Sequence, residues 1–436
     1  MDAETAIRPE AGRLSDRARL RAIIAGSAGN LIEWYDFYVY AFTALYFSSA
    51  FFPKNDPLVQ VMATSGIFAV GFFLRPIGGW YFGRFADRKG RQAAMVVSVL
   101  MMGAGSLLIA LLPTYAMVGA AAPALLLAGR MIQGFSTGGQ YGTVATYLSE
   151  VVGKGRRGFW ASFQYVTLIG GQLSATLVIL FLQQILSEAA MKAYGWRICF
   201  MLGAVGAIAI LLFRHHIHET SHEDDRPANS GSLAELLRHN LRAFMTVLGL
   251  TAGGSLAFYT FTTYMQKYLV LTVGMTKETS TTIMTGVLIP FMLIQPVMGL
   301  LSDRIGRRNN MLIFAGLSTL LTVPILLALA ETRTPLVAFF LVLAGMIINS
   351  FYTSVSGLFK AELFPIHVRA LGVGLAYGIG NALFGGTAEN IALAFKDAGH
   401  ESYFYWYVTA ICAVSLVTAM TMKDTRRDNI LDQVRL

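Results

Sequence analysis

The sequence predicts an all-α membrane protein of twelve transmembrane helices in two pseudo-symmetric six-helix bundles, on three observations. Hydrophobic residues fill 55% of the 436 positions and charged residues only 14%, where a soluble domain carries about 25% charged residues. Cutting the chain at its Pro, Gly and charge clusters leaves about a dozen apolar runs, each near the roughly twenty residues that a bilayer demands. The third observation is a repeat. Gly83-Arg84-Phe85-Ala86-Asp87-Arg88-Lys89-Gly90-Arg91 is echoed 216 residues later by Gly299-Leu300-Leu301-Ser302-Asp303-Arg304-Ile305-Gly306-Arg307, so one unit is present twice. A second echo agrees: Glu150 and Arg157 recur as Glu362 and Arg369, 212 residues on.

Residues 1–21 form a polar, Arg-rich tail without a small-residue cleavage site, and the first helix is read as an uncleaved insertion signal. The first bundle, 22–213, draws on runs near 22–48, 60–83, 92–112, 121–148, 158–186 and 196–213. The polar stretch 214–240 contains His215-His216-Ile217-His218 and Pro227-Ala228-Asn229-Ser230-Gly231 and reads as a linker. The second bundle, 241–422, uses runs near 241–271, 281–302, 309–330, 335–360, 368–395 and 402–422, and a tail, 423–436, follows. Glycines four apart, Gly79 with Gly83, Gly134 with Gly138 and Gly374 with Gly378, read as seams where helix backbones approach closely in lipid.

With the N-terminus inside, 25 of the 34 Lys and Arg residues, Lys360 among them, fall on one side. That bias places both termini in the cytoplasm. It also accounts for the net charge of +9, so nucleic acid is an unnecessary partner. Cys199 and Cys412 both lie in apolar runs, which excludes a disulfide framework and a metal cluster. The expected partners are a small anionic metabolite, protons and membrane lipid; no cofactor is expected, and a monomer is the expected working unit.

The chemistry is carried by the few ionisable residues inside the apolar runs, since a charge near the bilayer centre costs about 2.5–3.5 kcal/mol and is retained for pairing or function. Glu33 and Asp36 are three apart on the first helix, which puts both carboxylates on one face, with Asn30 and Tyr40 adjoining. Arg75 precedes Pro76 on the second helix, Arg130 lies inside the fourth, Lys267 in the seventh and Glu389 in the eleventh. The plain reading is that Glu33 or Asp36 pairs with Arg75 or Arg130. The functional reading is that cations from both halves receive a small anion, with Arg suited to a carboxylate through paired hydrogen bonds. A carboxylate held out of water would then take up and release a proton in the physiological range. Tyr264 is a candidate for lining the same cavity, and Trp196 with Arg197 marks the outer interface, as an aromatic anchor or as an attractor of substrate.

The hairpins invite a gating role. Asp87 is placed to sit against the positive end of a neighbouring helix while Arg88 and Arg91 engage carboxylates such as Glu150. Arg157 and, in the second copy, Asp303, Arg304, Arg307, Glu362 and Arg369 complete a latch across the cytoplasmic face.

Taken with Asn30 to Tyr40, Arg75-Pro76-Ile77-Gly78-Gly79-Trp80 and Gly138-Gly139-Gln140-Tyr141-Gly142, these repeats resemble the major facilitator superfamily, and within it the metabolite:proton symporter branch. The resemblance runs from about residue 20 to 422. It implies the major facilitator fold, a central cavity open alternately to either side, a bacterial inner membrane, and uptake of a dicarboxylate with protons, α-ketoglutarate foremost. It also brings Gln164, within Ala161 to Leu173, to the cavity. After Gly138-Gly139 the branch usually carries glutamate, where this chain has Gln140. Either coupling runs through Glu33, Asp36 or Glu389, or Gln140 mimics the protonated state. Other cargoes in the branch are citrate, shikimate, proline and betaine. Carriers of the last two usually bear a long C-terminal coiled coil, whereas this chain ends shortly after Lys423 without a heptad run. A metabolite sensor lacks an output domain here, and no nucleophile-base constellation supports an enzyme.

Overall fold

The computed structural model describes residues 16–53, 56–89, 91–151, 155–213, 231–365 and 368–424, and among them there is no β-strand. Twelve helical rods account for nearly all of these residues. In chain order they are α1 (16–51), α2 (57–89), α3 (91–111), α4 (121–151), α5 (157–185), α6 (188–213), α7 (241–271), α8 (277–305), α9 (307–331), α10 (335–362), α11 (369–397) and α12 (402–421). Eight of them are long and apolar enough to cross a membrane by length and composition alone. Among those that fall short are α1, α4 and α11, which carry Glu33, Asp36, Arg130 and Glu389, while Arg75 and Lys267 lie on α2 and α7, which are among the eight.

Several rods run past the apolar runs that predict them. α1 begins at Asp16 and the second rod reaches Lys89, because a helix continues into polar sequence as long as its backbone bonds continue. The stretch read as a linker contains a helix, Leu233–His239, capped by the Ser232 hydroxyl on Glu235 N–H. The histidines at 215, 216 and 218 lie outside the described residues.

Within the first half α1 packs on α5 and α6, α2 on α4, and α3 on α4 and α6; in the second, α9 packs on α12 and α10, and α7 on α12 and α11. The halves meet where α5 lies along α8, where α2 and α4 lie along α11, and where α4 meets α10. Gly134 and Gly138 form the α2–α4 seam. A Cβ on Gly138 would come within 2.6 Å of the Arg75 Cα, so this glycine lets α4 lie directly against the backbone that carries Arg75.

Three breaks in the rods fall near mid-length. The second rod is interrupted at Leu74, immediately before Arg75-Pro76, because Pro76 has no N–H to give to the carbonyl four residues back and its ring crowds that carbonyl. One π-helical turn, Thr260–Tyr264, interrupts α7, and another, Asn381–Gly385, interrupts α11. Such turns insert an extra residue and concentrate at functional sites.

Candidate functional site

Arg75 and Arg130 are buried to within 1% of full enclosure in the first half, on two rods held together by the glycine seam. Each guanidinium is sheathed by aromatic rings. Arg75 lies 3.8 Å from the Phe72 centroid, 4.4 Å from Phe37 and 5.7 Å from Trp34. Arg130 lies 4.3 Å from the Tyr40 centroid, 4.9 Å from Phe68 and 5.1 Å from Phe37. Both cations therefore flank the Phe37 ring of α1. A desolvated cation–π contact contributes about 2 kcal/mol, which offsets much of the burial cost but does not satisfy N–H groups in the guanidinium plane. Arg75 Nη1 reaches the Tyr259 hydroxyl of α7 at 3.4 Å, and Arg130 Nη1 donates to Gln133 Oε1 at 2.7 Å. Among the described residues the Nε and Nη2 groups of both arginines have no acceptor.

No ion pair joins these arginines to Glu33 or Asp36 among the described residues, and all four carboxylate oxygens lack a hydrogen-bond partner. The two carboxylates do lie within electrostatic range of each other, and Glu33 within range of Arg75. Asp36, however, rests on the backbone of Gly203 in α6 and faces the Ser106 hydroxyl of α3, inside the first bundle. Ser106 accepts from Gln133 Nε2 at 2.7 Å, so a polar line runs from Arg130 through Gln133 and Ser106 towards Asp36. Asn30 turns to α5, donating to the Gln164 carbonyl and to Thr167. The Tyr40 hydroxyl donates to the Thr64 carbonyl on α2. Of the Gln164 amide, Nε2 has no partner, while Oε1 lies against the backbone of Gly357 in α10. The side chain of Gln140 lies outside the described residues.

The second half arranges its charges differently. Lys267 is fully buried beyond the π turn of α7, with Nζ 2.8 Å from Glu389 Oε2 on α11 and 2.7 Å from the Ala41 carbonyl on α1. Its charge is thus matched by a carboxylate 122 residues away, a pairing that no spacing rule indicates. Tyr264 does not join the arginines: its hydroxyl donates to Glu401 Oε1 at 3.3 Å, in a cluster where Lys396 also reaches Glu401 at 3.2 Å.

Both ends of the molecule are bridged between halves. At the hairpin end, the Asp303 carboxylate of α8 accepts from Gly158 N–H at 2.8 Å and Phe159 N–H at 3.1 Å, at the start of α5. Arg307 binds the same carboxylate at 2.9 Å and approaches Glu362 of α10 at 3.6 Å. Gly158 and Gly299 abut here; a Cβ on Gly299 would lie 2.8 Å from the Gly158 carbonyl carbon. Arg157 and Arg369 are buried, and Arg369 Nε donates to the Phe364 carbonyl. Arg304 is exposed and also engaged. The side chains of Asp87, Arg88, Arg91 and Glu150 lie outside the described residues. At the opposite end Glu188 binds Lys277 of α8 at 2.8 Å and Lys192 at 3.0 Å. Hydrogen bonds from these two lysines hold the Glu188 carboxyl down to about 2. Asn390 of α11 donates to the Met62 carbonyl and to Ser65 of α2.

Two sequence expectations are corrected. Trp196 is not an interfacial belt residue: it is fully buried against Phe47, Phe51 and Phe200. Arg197 stacks on that ring and donates to the Ala110 carbonyl. Lys360, counted among the basic residues of the cytoplasmic face, is fully buried between the halves. It lies in the last turn of α10, and position alone does not tell a lysine reaching for water from one turned inward.

Comparisons with known proteins agree with this architecture. The sequence profile of the Major Facilitator Superfamily matches residues 27–388. The chain is 55% identical over 407 residues to the alpha-ketoglutarate permease of Escherichia coli K12, covering 93% of this chain and 94% of that protein. It is 32% identical over 424 residues to the proline/betaine transporter of the same strain, across 94% and 85% of the two chains. The fold matches the xylose transporter XylE from E. coli with a TM-score of 0.72 at 17% identity, over 94% of this chain and 99% of that one.

Proposed function

The chain belongs to the major facilitator superfamily, and we propose that it imports a dicarboxylate, α-ketoglutarate in the first instance, together with protons. It is a multi-pass membrane transporter rather than an enzyme, working by alternating access. The observation that carries the anionic cargo is the pair of buried arginines: four guanidinium nitrogens without acceptors, on two cations that flank one phenylalanine ring and have no carboxylate of their own. A carboxylate of the substrate supplies the missing acceptors in paired geometry. The likeness to the E. coli permease supports α-ketoglutarate as that substrate.

In this reading the Lys267–Glu389 pair is the coupling element. A proton on Glu389 removes the charge that holds Lys267, and the freed ammonium turns to the second carboxylate of the cargo. Glu33 and Asp36 are the further proton sites, and Gln140 stands where the branch carries a protonatable group. Two protons are required at least, because moving each charge against an inside-negative potential costs about 2.3 kcal/mol per 100 mV, and one proton leaves a dianion's complex negative. The cytoplasm lies at the hairpin end, in a bacterial inner membrane, with both termini there and the monomer as the working unit. The Asp303–Arg307–Glu362 contacts close that end, and the Glu188–Lys277 bridge closes the other.

Uptake of labelled α-ketoglutarate into proteoliposomes, with and without an inward proton gradient and in competition with citrate, shikimate and proline, tests this. Accumulation that needs the gradient and yields little to proline is expected. Competition by proline with no uptake of α-ketoglutarate overturns the substrate.

A further inference from the structure

A lysine in the last turn of a membrane helix ordinarily extends its stem past the helix end and leaves its ammonium in water. Lys360 does the opposite. Its side chain runs back along α10, in the direction helical Cβ atoms point, and Nζ donates to Ser356 Oγ at 2.7 Å, one turn deeper. A second bond, 3.0 Å long, goes to the Tyr141 hydroxyl on α4, across the boundary between halves. The rings of Tyr377, Tyr141 and Tyr352 stand 4.3, 4.9 and 5.4 Å from the ammonium. No described carboxylate pairs with it, in contrast to Lys267.

An ammonium has three donors, and among the described residues only two find oxygen here. Nearby donors are also available: Gln164 Nε2 has no partner among the described residues, the Tyr352 hydroxyl faces Ser356, Thr251 and Ser255 without a well-formed bond to any of them, and the Gln164 amide abuts the backbone of Gly357, next to Ser356. The rings around Lys360 continue towards the arginines, since Tyr377 lies within electrostatic range of Tyr259 and Arg75, and Tyr259 is the residue that Arg75 binds. A tyrosine-lined line thus joins the buried arginines to a second buried cation nearer the hairpin end.

We propose that Lys360 is a second carboxylate-binding station, lying between the arginines and the hairpin end, which holds a carboxylate of the cargo on the cytoplasmic leg of its passage. It rests on the transport reading above. The carboxylate accepts from Lys360 Nζ and the Tyr352 hydroxyl, both on α10, and from the Gln164 amide of α5, and the two α10 donors stay together when the halves part at the hairpin end.

The test compares half-saturation for labelled α-ketoglutarate presented to each face of the full chain in oriented proteoliposomes. Lys360→Met is expected to raise the value on the hairpin-end face by about 10–100-fold, the weight of a hydrogen-bonded charge. The opposite face should change by less than about threefold on the same scale. Lys360→Arg, which keeps the charge, should recover most of the loss. Should Lys360→Met fail to fold, Tyr352→Phe, which keeps the ring and removes one donor, should shift the same constant in the same direction by about 3–10-fold. Equal shifts on both faces, or a lower maximal rate with both constants in their wild-type ratio, would mean a merely structural lysine and overturn the station alone. A wild-type chain that carries no dicarboxylate from either face removes the transport reading, and the station with it.

Discussion

Around the proposed central site, at Arg75, Arg130 and Lys267, the two halves handle buried charge in opposite ways. The first encloses two arginines in aromatic rings and gives them no ion-paired carboxylate among the described residues, although Glu33 lies within electrostatic range of Arg75. The second pairs Lys267 with Glu389 at 2.8 Å and ties that lysine to the first half through the Ala41 carbonyl, while Lys360, nearer the hairpin end, has hydroxyl partners alone among the described residues. A cation left with open donors awaits an external acceptor, while a matched pair stores a charge that a proton can release. The difference separates the proposed tasks: the first half holds the anion, and the second registers the proton.

Breaking the unmatched side should have the largest effect. Arg130→Met is expected to lower kcat/KM for uptake by about 100-fold or more, since a buried partner of a carboxylate is lost. Arg130→Lys should recover little, because a point charge does not replace the fork. Uptake within about threefold of wild type in Arg130→Met would place the cargo elsewhere. The matched side should break in another manner: Glu389→Gln is expected to abolish accumulation driven by a proton gradient while counterflow exchange persists. If gradient-driven accumulation survives in that variant, Glu389 is no coupling site.

Smaller effects are expected at the ends, where the same contrast recurs. Asp303→Asn keeps the shape but removes the charge that caps α5 and binds Arg307. The loss of about 1 kcal/mol expected for such a cap should weaken closure at the hairpin end and slow uptake by about fivefold. A cysteine probe placed near Gly158 should become more reactive, and unchanged reactivity would remove Asp303 from the latch. Glu188→Gln at the other end should change transport less than twofold, as exposed pairs contribute about 0–1 kcal/mol. The Glu188 carboxyl is depressed to about 2 from 4.5, so its contribution is fully present above about pH 4.5 and fades only as pH falls through about 2. Rate profiles of this variant and wild type should therefore run parallel between about pH 5 and 8, and a divergence in that range would assign Glu188 a role in proton handling.

The fold was legible because its signals are long: apolar runs of membrane length and a motif repeated at half the chain. The arginines were legible for a related reason, since a guanidinium in an apolar run has few explanations. The partner of Lys267 was not, because a contact across 122 residues depends on how α7 and α11 pack. Lys360 was misread because its burial depends on which way one flexible stem turns, at a helix end where either direction is open. Asp36 shares a helix face with Glu33 on paper, yet the close approach of α6 at Gly203 gives it surroundings of its own.

The π turn at Thr260–Tyr264 has a consequence for chain length. It holds one residue more than a regular turn, and each residue of an α-helix advances the azimuth by about 100°. Excising a single threonine there would let α7 run as an uninterrupted helix and swing everything after it by that angle, carrying the ammonium of Lys267 off Glu389 and towards another neighbour. Indels in this stretch are therefore far less tolerable than substitutions, and one inserted residue works like a fixed notch that sets the orientation of a distant charge.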